Sequence, residues 1–321
     1  MEIGSFLELQ FLKGLEWYNQ SEDIARLNTG RAAIAHAFRV TGCHSIWIPV
    51  YQCDTVRDTL LVHGADIKYY HMDNTFTPID LNPTDDDAVL FVNYFGVMSY
   101  RRMYELAKRS KHPIIDNCQG FFCAPIENAM NIYSCRKFVG VPDGSYVIGK
   151  DAHLYVDEYP QCFSSGTAAF LLMRIEYGCE GKSYDARCIN EHRINSEGIM
   201  KMSKLTRTIL DGTDYKFICR KRRENFQIAH ELMSNLNCID PIQYYDEQTI
   251  PMVYPLVLED DEAIQRLLRA RHFQGHWWSY ICDEQPKDSF EYWISRYVIP
   301  ITIDQRYGRK ELEYICENLK G

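Results

Sequence analysis

Two hydrophobic rhythms alternate along the chain. After Thr29, residues 30–40 (GRAAIAHAFRV) repeat apolar positions at helical spacing, residues 45–49 (SIWIP) form a short apolar run of strand length, and residues 54–63 return to the helical period. Further β-rich runs fall at 66–72 (DIKYYHM), 88–92 (AVLFV), 113–116 (PIID), 131–135 (NIYSC) and 145–148, with a helix over 100–109 between two of them. Short strands bounded by turn residues and interleaved with helices predict βαβ units and a mainly parallel sheet. Residues 190–235 lack proline and are rich in Lys, Arg, Glu, Met and Leu, which predicts long helices leading out of the first domain. Beyond them, an apolar run at 252–258, a helix over 261–271, a second run at 297–303 and a final helix over 310–319 predict a small α+β unit. The expected organisation is a large α/β domain over 1–223 and a smaller C-terminal α+β domain over 224–321, with no internal repeat.

The chain has 321 residues, enough for two domains that each bury a core. No stretch approaches the roughly 18 uninterrupted apolar residues of a membrane span, and residues 1–14 carry Glu2 and Glu8 rather than a basic leader start, so a cytoplasmic location is expected. Twelve cysteines are scattered singly, with no CxxC pair for zinc or redox chemistry; the expectation is reduced, mostly buried thiols. A net charge of −9 argues against a nucleic-acid partner, since phosphate backbones attract basic faces. The one basic run, from Arg220 to Arg223, reads as a solvated helix face.

In doubly wound sheets ligands gather at the carboxyl ends of strands, so residues just past the predicted strands are the candidates. At Thr29-Gly30-Arg31-Ala32 a small-residue turn opens a helix, which suits either a plain helix cap or a phosphate held by backbone N–H groups and the helix dipole. Asp116 ends the strand PIID, with Asn117, Cys118 and Gln119 following; it fits a loop cap or a carboxylate that holds a protonated pyridine nitrogen. Lys137 follows Ser134, Cys135 and Arg136 at a strand end and precedes a glycine-containing turn, unlike a surface lysine on a polar helix face. Desolvation and the neighbouring Arg136 would favour the free amine that imine formation needs. After AVLFV, Asn93-Tyr94-Phe95-Gly96 suits a pocket wall or a packed turn equally well.

Taken in order, these segments resemble the DegT/StrS family of pyridoxal-phosphate (PLP)-dependent sugar aminotransferases, of fold type I. Thr29-Gly30-Arg31-Ala32-Ala33 stands in place of the family's Ser-Gly-Thr-Ala-Ala phosphate turn, and Ile48-Pro49-Val50-Tyr51-Gln52-Cys53 matches its strand ending in proline with a polar and aromatic turn. Asp116 and Gln119 correspond to the family's Asp and, three residues later, Gln or His; Lys137, with Gly144 and Ser145 seven and eight residues on, corresponds to its Schiff-base lysine. Lys201-Met202-Ser203 resembles a segment that relatives contribute across a dimer. The match runs from about Leu27 to Phe226. Departures are clear: Cys53 stands where an aromatic ring usually stacks on the cofactor, which leaves stacking to Tyr51 or another ring; Ser134 lies three rather than five residues before the lysine; and Ile199 replaces the usual Asn.

The resemblance implies a homodimeric aminotransferase that takes a small-molecule amino donor and a keto acceptor, possible acceptors including a keto sugar or nucleotide-linked sugar. Lys137 would hold PLP as an internal aldimine and shuttle the proton, Asp116 would face the ring nitrogen, and Gln119 would support the ring or its 3'-oxygen. Thr29, Gly30, Arg31 and Ser134 would hold the phosphate, with Lys201 near the phosphate of the neighbouring subunit and Tyr51, Gln52 and Cys53 beside the ring. No metal is implied. Other PLP chemistry on the same fold, such as elimination or decarboxylation, and a non-catalytic PLP-binding protein are the alternatives; a dinucleotide-binding enzyme is disfavoured because no GxGxxG follows an early strand. Arg296 and Arg306 could bind a substrate carboxylate, although surface salt bridges are the more common role for such residues.

Overall fold

The computed structural model describes residues 5–19 and 23–320; Glu2 of the N-terminal reading lies outside them. The first unit runs β1 (Ile24–Leu27), α1 (Gly30–Thr41), β2 (Ser45–Pro49), α2 (Asp54–Val62), β3 (Asp66–Tyr70), β4 (Asp87–Val92), α3 (Tyr100–Ala107), β5 (His112–Asn117), β6 (Met130–Ser134) and β7 (Ser145–Ile148). Four helices follow: α4 (Ala169–Tyr177), α5 (Lys182–Ser196), α6 (Lys204–Asp211) and α7 (Tyr215–Met233). The chain closes with β8 (Val253–Val257), α8 (Ala263–Arg269), α9 (Ile281–Glu284), α10 (Phe290–Tyr297), β9 (Val298–Thr302) and α11 (Arg309–Leu319).

The first seven strands form one sheet in the order β1-β7-β6-β5-β4-β2-β3. The ladders joining β3, β2, β4, β5 and β6 are parallel, and those of β7 with β6 and β1 are antiparallel, so the sheet is mainly parallel as expected. Alternation decides which residue packs where. In β4, Ala88 and Leu90 join the cluster under α1 with Ile34 and Phe38, whereas Val89 and Phe91 face a second cluster that runs on into β8, β9 and α11. Burial on both faces explains why the central strands read as continuous apolar runs.

After β3 the chain returns to the other side of β2, so β2 and β4 are neighbours whose connections leave in opposite directions. This switch point opens a crevice at the carboxyl ends of the strands, where such sheets take ligands. At the opposite end, Asp87 pins the sheet: its carboxylate accepts from Lys68 Nζ at 2.7 Å, from Thr84 N at 2.8 Å, and from the Ser45 hydroxyl. Burial raises the pKa of Asp87, but these donors outweigh it and hold the carboxyl well below the usual range. The group is depressed in the folded state, so its contribution is complete above the unfolded carboxylate pKa of about 3.9 and fades as pH falls below it. Urea titrations from pH 6 down to pH 2 should show a loss of stability that is smaller in Asp87→Asn; parallel curves would exclude the linkage.

The C-terminal elements pair β8 with β9 antiparallel, flanked by α7, α8 and α11. Helix α7 runs unbroken through Arg223, the expected boundary, and packs on both β8 and α11. The helical stretch expected over 190–235 is three helices, broken at 197–203 where Lys201 bridges to Leu27 of β1.

Candidate functional site

Helix α1 opens the site. Thr29 caps it by accepting from Ala32 N at 3.2 Å, and α1 has no acidic residue in its first turn, so its N-terminal dipole is uncompensated by the helix itself. Cys118 packs directly against Gly30: a Cβ at position 30 would lie 2.6 Å from the Cys118 sulfur and 3.8 Å from Ser134 Cβ. This close approach brings the ends of β5 and β6 onto the first turn of α1.

Asp116, near the end of β5, is 6 % exposed. One carboxylate oxygen accepts from Cys118 N at 2.9 Å and the other from Gln52 Nε2 at 3.4 Å. No cation is within ion-pair distance among the described residues, so a buried carboxylate stands without a charged partner. Burial, with the Asp116 charge second, pushes the Cys118 thiol far up; Lys137 lies close enough to act on it in the opposite sense, and Cys53 is also near. The Cys118 sulfur therefore stays a neutral thiol among charged groups.

Lys137 ends a single 3-10 turn, Cys135–Lys137, that follows β6. Its side chain is exposed, and its ammonium has no ion pair among the described residues. The turn behind it is firmly held: Gly144 N donates to Asn28 O at 2.6 Å, Ser145 Oγ donates to Thr29 O at 2.8 Å, and Asn190 Nδ2 donates to Pro142 O at 2.8 Å. Gly144 has φ +117°, and a Cβ there would meet Thr206 Cγ2 at 2.8 Å, so glycine is required seven residues past the lysine.

The structure also changes several expectations. Tyr51 is 0 % exposed, its ring 4.6 Å from that of Trp278 and 5.5 Å from that of Tyr94, so it is core and not free to stack on a ligand. Gln52 faces Asp116, and Cys53 lies near Cys118 and Arg31, so of this turn only those two line the site. Gln119 Oε1 accepts from Phe95 N at 2.7 Å, which fixes the buried Asn93–Gly96 corner as a packed turn and leaves its amide nitrogen without a partner among the described residues. Arg31 is half-buried and donates to Ile194 O, while Arg136 pairs with Glu191 one turn earlier on α5. Burial and then Arg136 pull the Arg31 guanidinium down, as two cations lie close together at the mouth of α1. Lys201 Nζ reaches Asp157 at 3.4 Å, outside the cluster within this chain. Arg296 pairs with Asp261 and Arg306 with Asp304. Of the cysteines, all free, four are buried, six half-buried and two exposed, which corrects the expectation that most are buried.

Arg222 departs from the reading of residues 220–223 as a solvated face, which holds for the exposed Arg220. It is 2 % exposed and donates to the carbonyls of Met252 at 2.7 Å, Pro251 at 3.3 Å and Lys137 at 3.4 Å, with its guanidinium 4.5 Å from the Phe138 ring. Burial brings its pKa down to about 10, so it stays charged. The helical spacing of Ile218, Asn225, Phe226 and Ala229 was the available signal, because it places position 222 on the buried face. Arg222→Met should destabilise the fold by about 3 kcal/mol, as three carbonyls lose a charged donor. Lysine at 222 should restore little of it, having no fork to reach all three; unchanged urea midpoints would refute this anchoring role.

No protein-family model matches the chain, and no curated protein matches it in sequence. Its fold is that of solved PLP-dependent aminotransferases. A DegT DnrJ EryC1 StrS aminotransferase from Brucella abortus superposes with a TM-score of 0.62 at 13% identity, covering 95% of this chain and 87% of that one. The sugar aminotransferase CalS13 from Micromonospora echinospora gives 0.63 at 14% identity, covering 93% and 87%. DesV from S. venezuelae, solved in complex with a ketimine intermediate, gives 0.61 at 17% identity, covering 94% and 85%. The fold expectation is thus met over nearly the whole chain.

Proposed function

We propose that this chain is a PLP-dependent aminotransferase with Lys137 as the residue that holds the cofactor, acting on a small-molecule amino donor and a keto acceptor such as a keto sugar. The observation that carries the proposal is the convergence of a buried carboxylate without a cation, Asp116, an unpaired lysine, Lys137, and the N-terminus of α1 around Cys118.

The residues fit the group. Asp116 lacks a cation and suits a protonated ring nitrogen; Gln119 keeps an amide nitrogen free for a ring oxygen; the first turn of α1 with Thr29, Gly30, Ser134 and Arg31 suits a phosphate. Arg136, beside Arg31, adds a second cation there. When bound, PLP supplies an electrophilic carbonyl and an electron-accepting ring. The chain supplies the rest. Asp116 would keep a proton on the ring nitrogen, the α1 turn would fix orientation, and the Lys137 amine would take the proton from the donor's Cα and deliver it, on the same face, to the carbon that had carried the cofactor's carbonyl. Arg222 is a positioning residue that holds the Lys137 carbonyl.

We also place two copies in the working assembly. Helix α4 buries none of its residues although its sequence is apolar, and Leu172, Ile175 and Tyr177 are exposed with Phe163 and Ile189 nearby in sequence. Lys201 would then serve the neighbour's phosphate. The division at 223 and a cytoplasmic location belong to the same proposal; among the described residues no helix is long and apolar enough to cross a membrane. The test is the absorbance spectrum of the protein purified with PLP. A visible band that bleaches on addition of an amino donor is expected; a band that persists marks a passive binder, and no band removes the cofactor.

A further inference from the structure

A cavity of about 760 Å³ lies between the α4–α5 hairpin and the C-terminal elements. None of Gly30, Asp116, Ser134 or Lys137 lines it. The hairpin contributes Arg174 and Arg187, and the opposite wall contributes Arg271 and Arg306. Arg271 pairs with Glu180 and Arg306 with Asp304, whereas Arg174 and Arg187 have neither an ion pair nor a side-chain hydrogen bond among the described residues.

Glu180 and Glu311 are the lining carboxylates and Asp304 stands behind Arg306, so four guanidinium groups meet three negative charges, with Arg174 and Arg187 left unpaired, in a chain whose net charge is −9. His272 does not alter the balance, since burial lowers its pKa to about 4 and the ring is neutral at neutral pH. A concave wall with an excess of one sign focuses its field inward, and guanidinium forks match the paired oxygens of phosphate and carboxylate. Phe273, Tyr184 and Tyr307 add ring faces against which the body of a small molecule can lie.

We propose that this cavity binds a small molecule bearing at least two anionic groups, phosphate or carboxylate, at a position separate from the cofactor site. Arg306 of its wall is followed back along the chain by Gln305, whose Nε2 donates to Phe138 O at 3.0 Å, next to Lys137 in sequence. The inference stands whether or not the cofactor reading does, because it uses none of the same residues.

Isothermal titration of the full-length protein with inorganic pyrophosphate and, separately, citrate tests it. Saturable binding of at least one probe is expected; pyrophosphate alone assigns phosphate chemistry, citrate alone carboxylate chemistry. Arg174→Gln and Arg187→Gln should each weaken that binding by about tenfold, the effect of one charge-assisted contact. Arg31→Gln, at the separate α1 site, should leave unchanged the binding that the two cavity variants lose. No binding at millimolar probe, or binding lost in Arg31→Gln and retained in the two cavity variants, would overturn the proposal.

Discussion

Lys137→Ala should abolish transamination, with turnover down by about 10⁴-fold or more, because one substitution removes both the covalent attachment and the proton-transferring amine. The fold should not suffer. The side chain is exposed and unpaired, and the turn that carries it is held by backbone contacts and by Arg222 rather than by the ammonium. The variant should still take up the cofactor reversibly, since the α1 turn and Asp116 remain. Three measurements check this together: single-turnover rates, the visible spectrum and the urea midpoint. Wild-type turnover would place the chemistry elsewhere. A large fall in the midpoint would make the lysine structural.

Asp116→Ala carries the second largest expectation. In the native chain the carboxylate is buried with two hydrogen-bond donors and no cation, an arrangement that a protonated ring nitrogen would complete. Removing it leaves that nitrogen without its charge partner, and the loss of one preorganised electrostatic contact of this kind lowers the rate by roughly 10²- to 10³-fold. Attachment at Lys137 should survive, so the variant should still be labelled by borohydride in the presence of PLP. Asp116→Asn should be nearly as slow, as its amide oxygen can still accept from Cys118 N but the charge is gone. An alanine variant with normal turnover would reduce Asp116 to a cap for Cys118 N.

The sequence made the strand ends legible, and with them much of the candidate cluster. Asp116 and Lys137 follow apolar runs buried on both faces, so the runs announced the sheet and their ends announced the crevice. The Thr29 cap and α1 were legible for the same local reasons. What was not legible depended on contacts distant in sequence. β1, only four residues long with Arg26 in its middle, gives too short an alternation to declare itself and exists by pairing with β7. Tyr51 looked available because its turn is polar, yet Trp278, more than two hundred residues away, closes over it. Arg222 looked solvated because its neighbours are charged; only the packing of α7 on the C-terminal strands shows it inward. The cation pair Arg31 and Arg136 required α5, whose Glu191 and Ile194 hold both.

The attachment residue is tested most directly by borohydride reduction of the PLP-loaded protein, followed by digestion and mass spectrometry of the phosphopyridoxyl peptide. A single modified peptide containing Ser134, Arg136 and Phe138, with the label on Lys137, is the predicted result. Label on Lys150, the exposed lysine just past β7, or no labelled peptide at all, would contradict the assignment, and the second result would remove PLP chemistry with it.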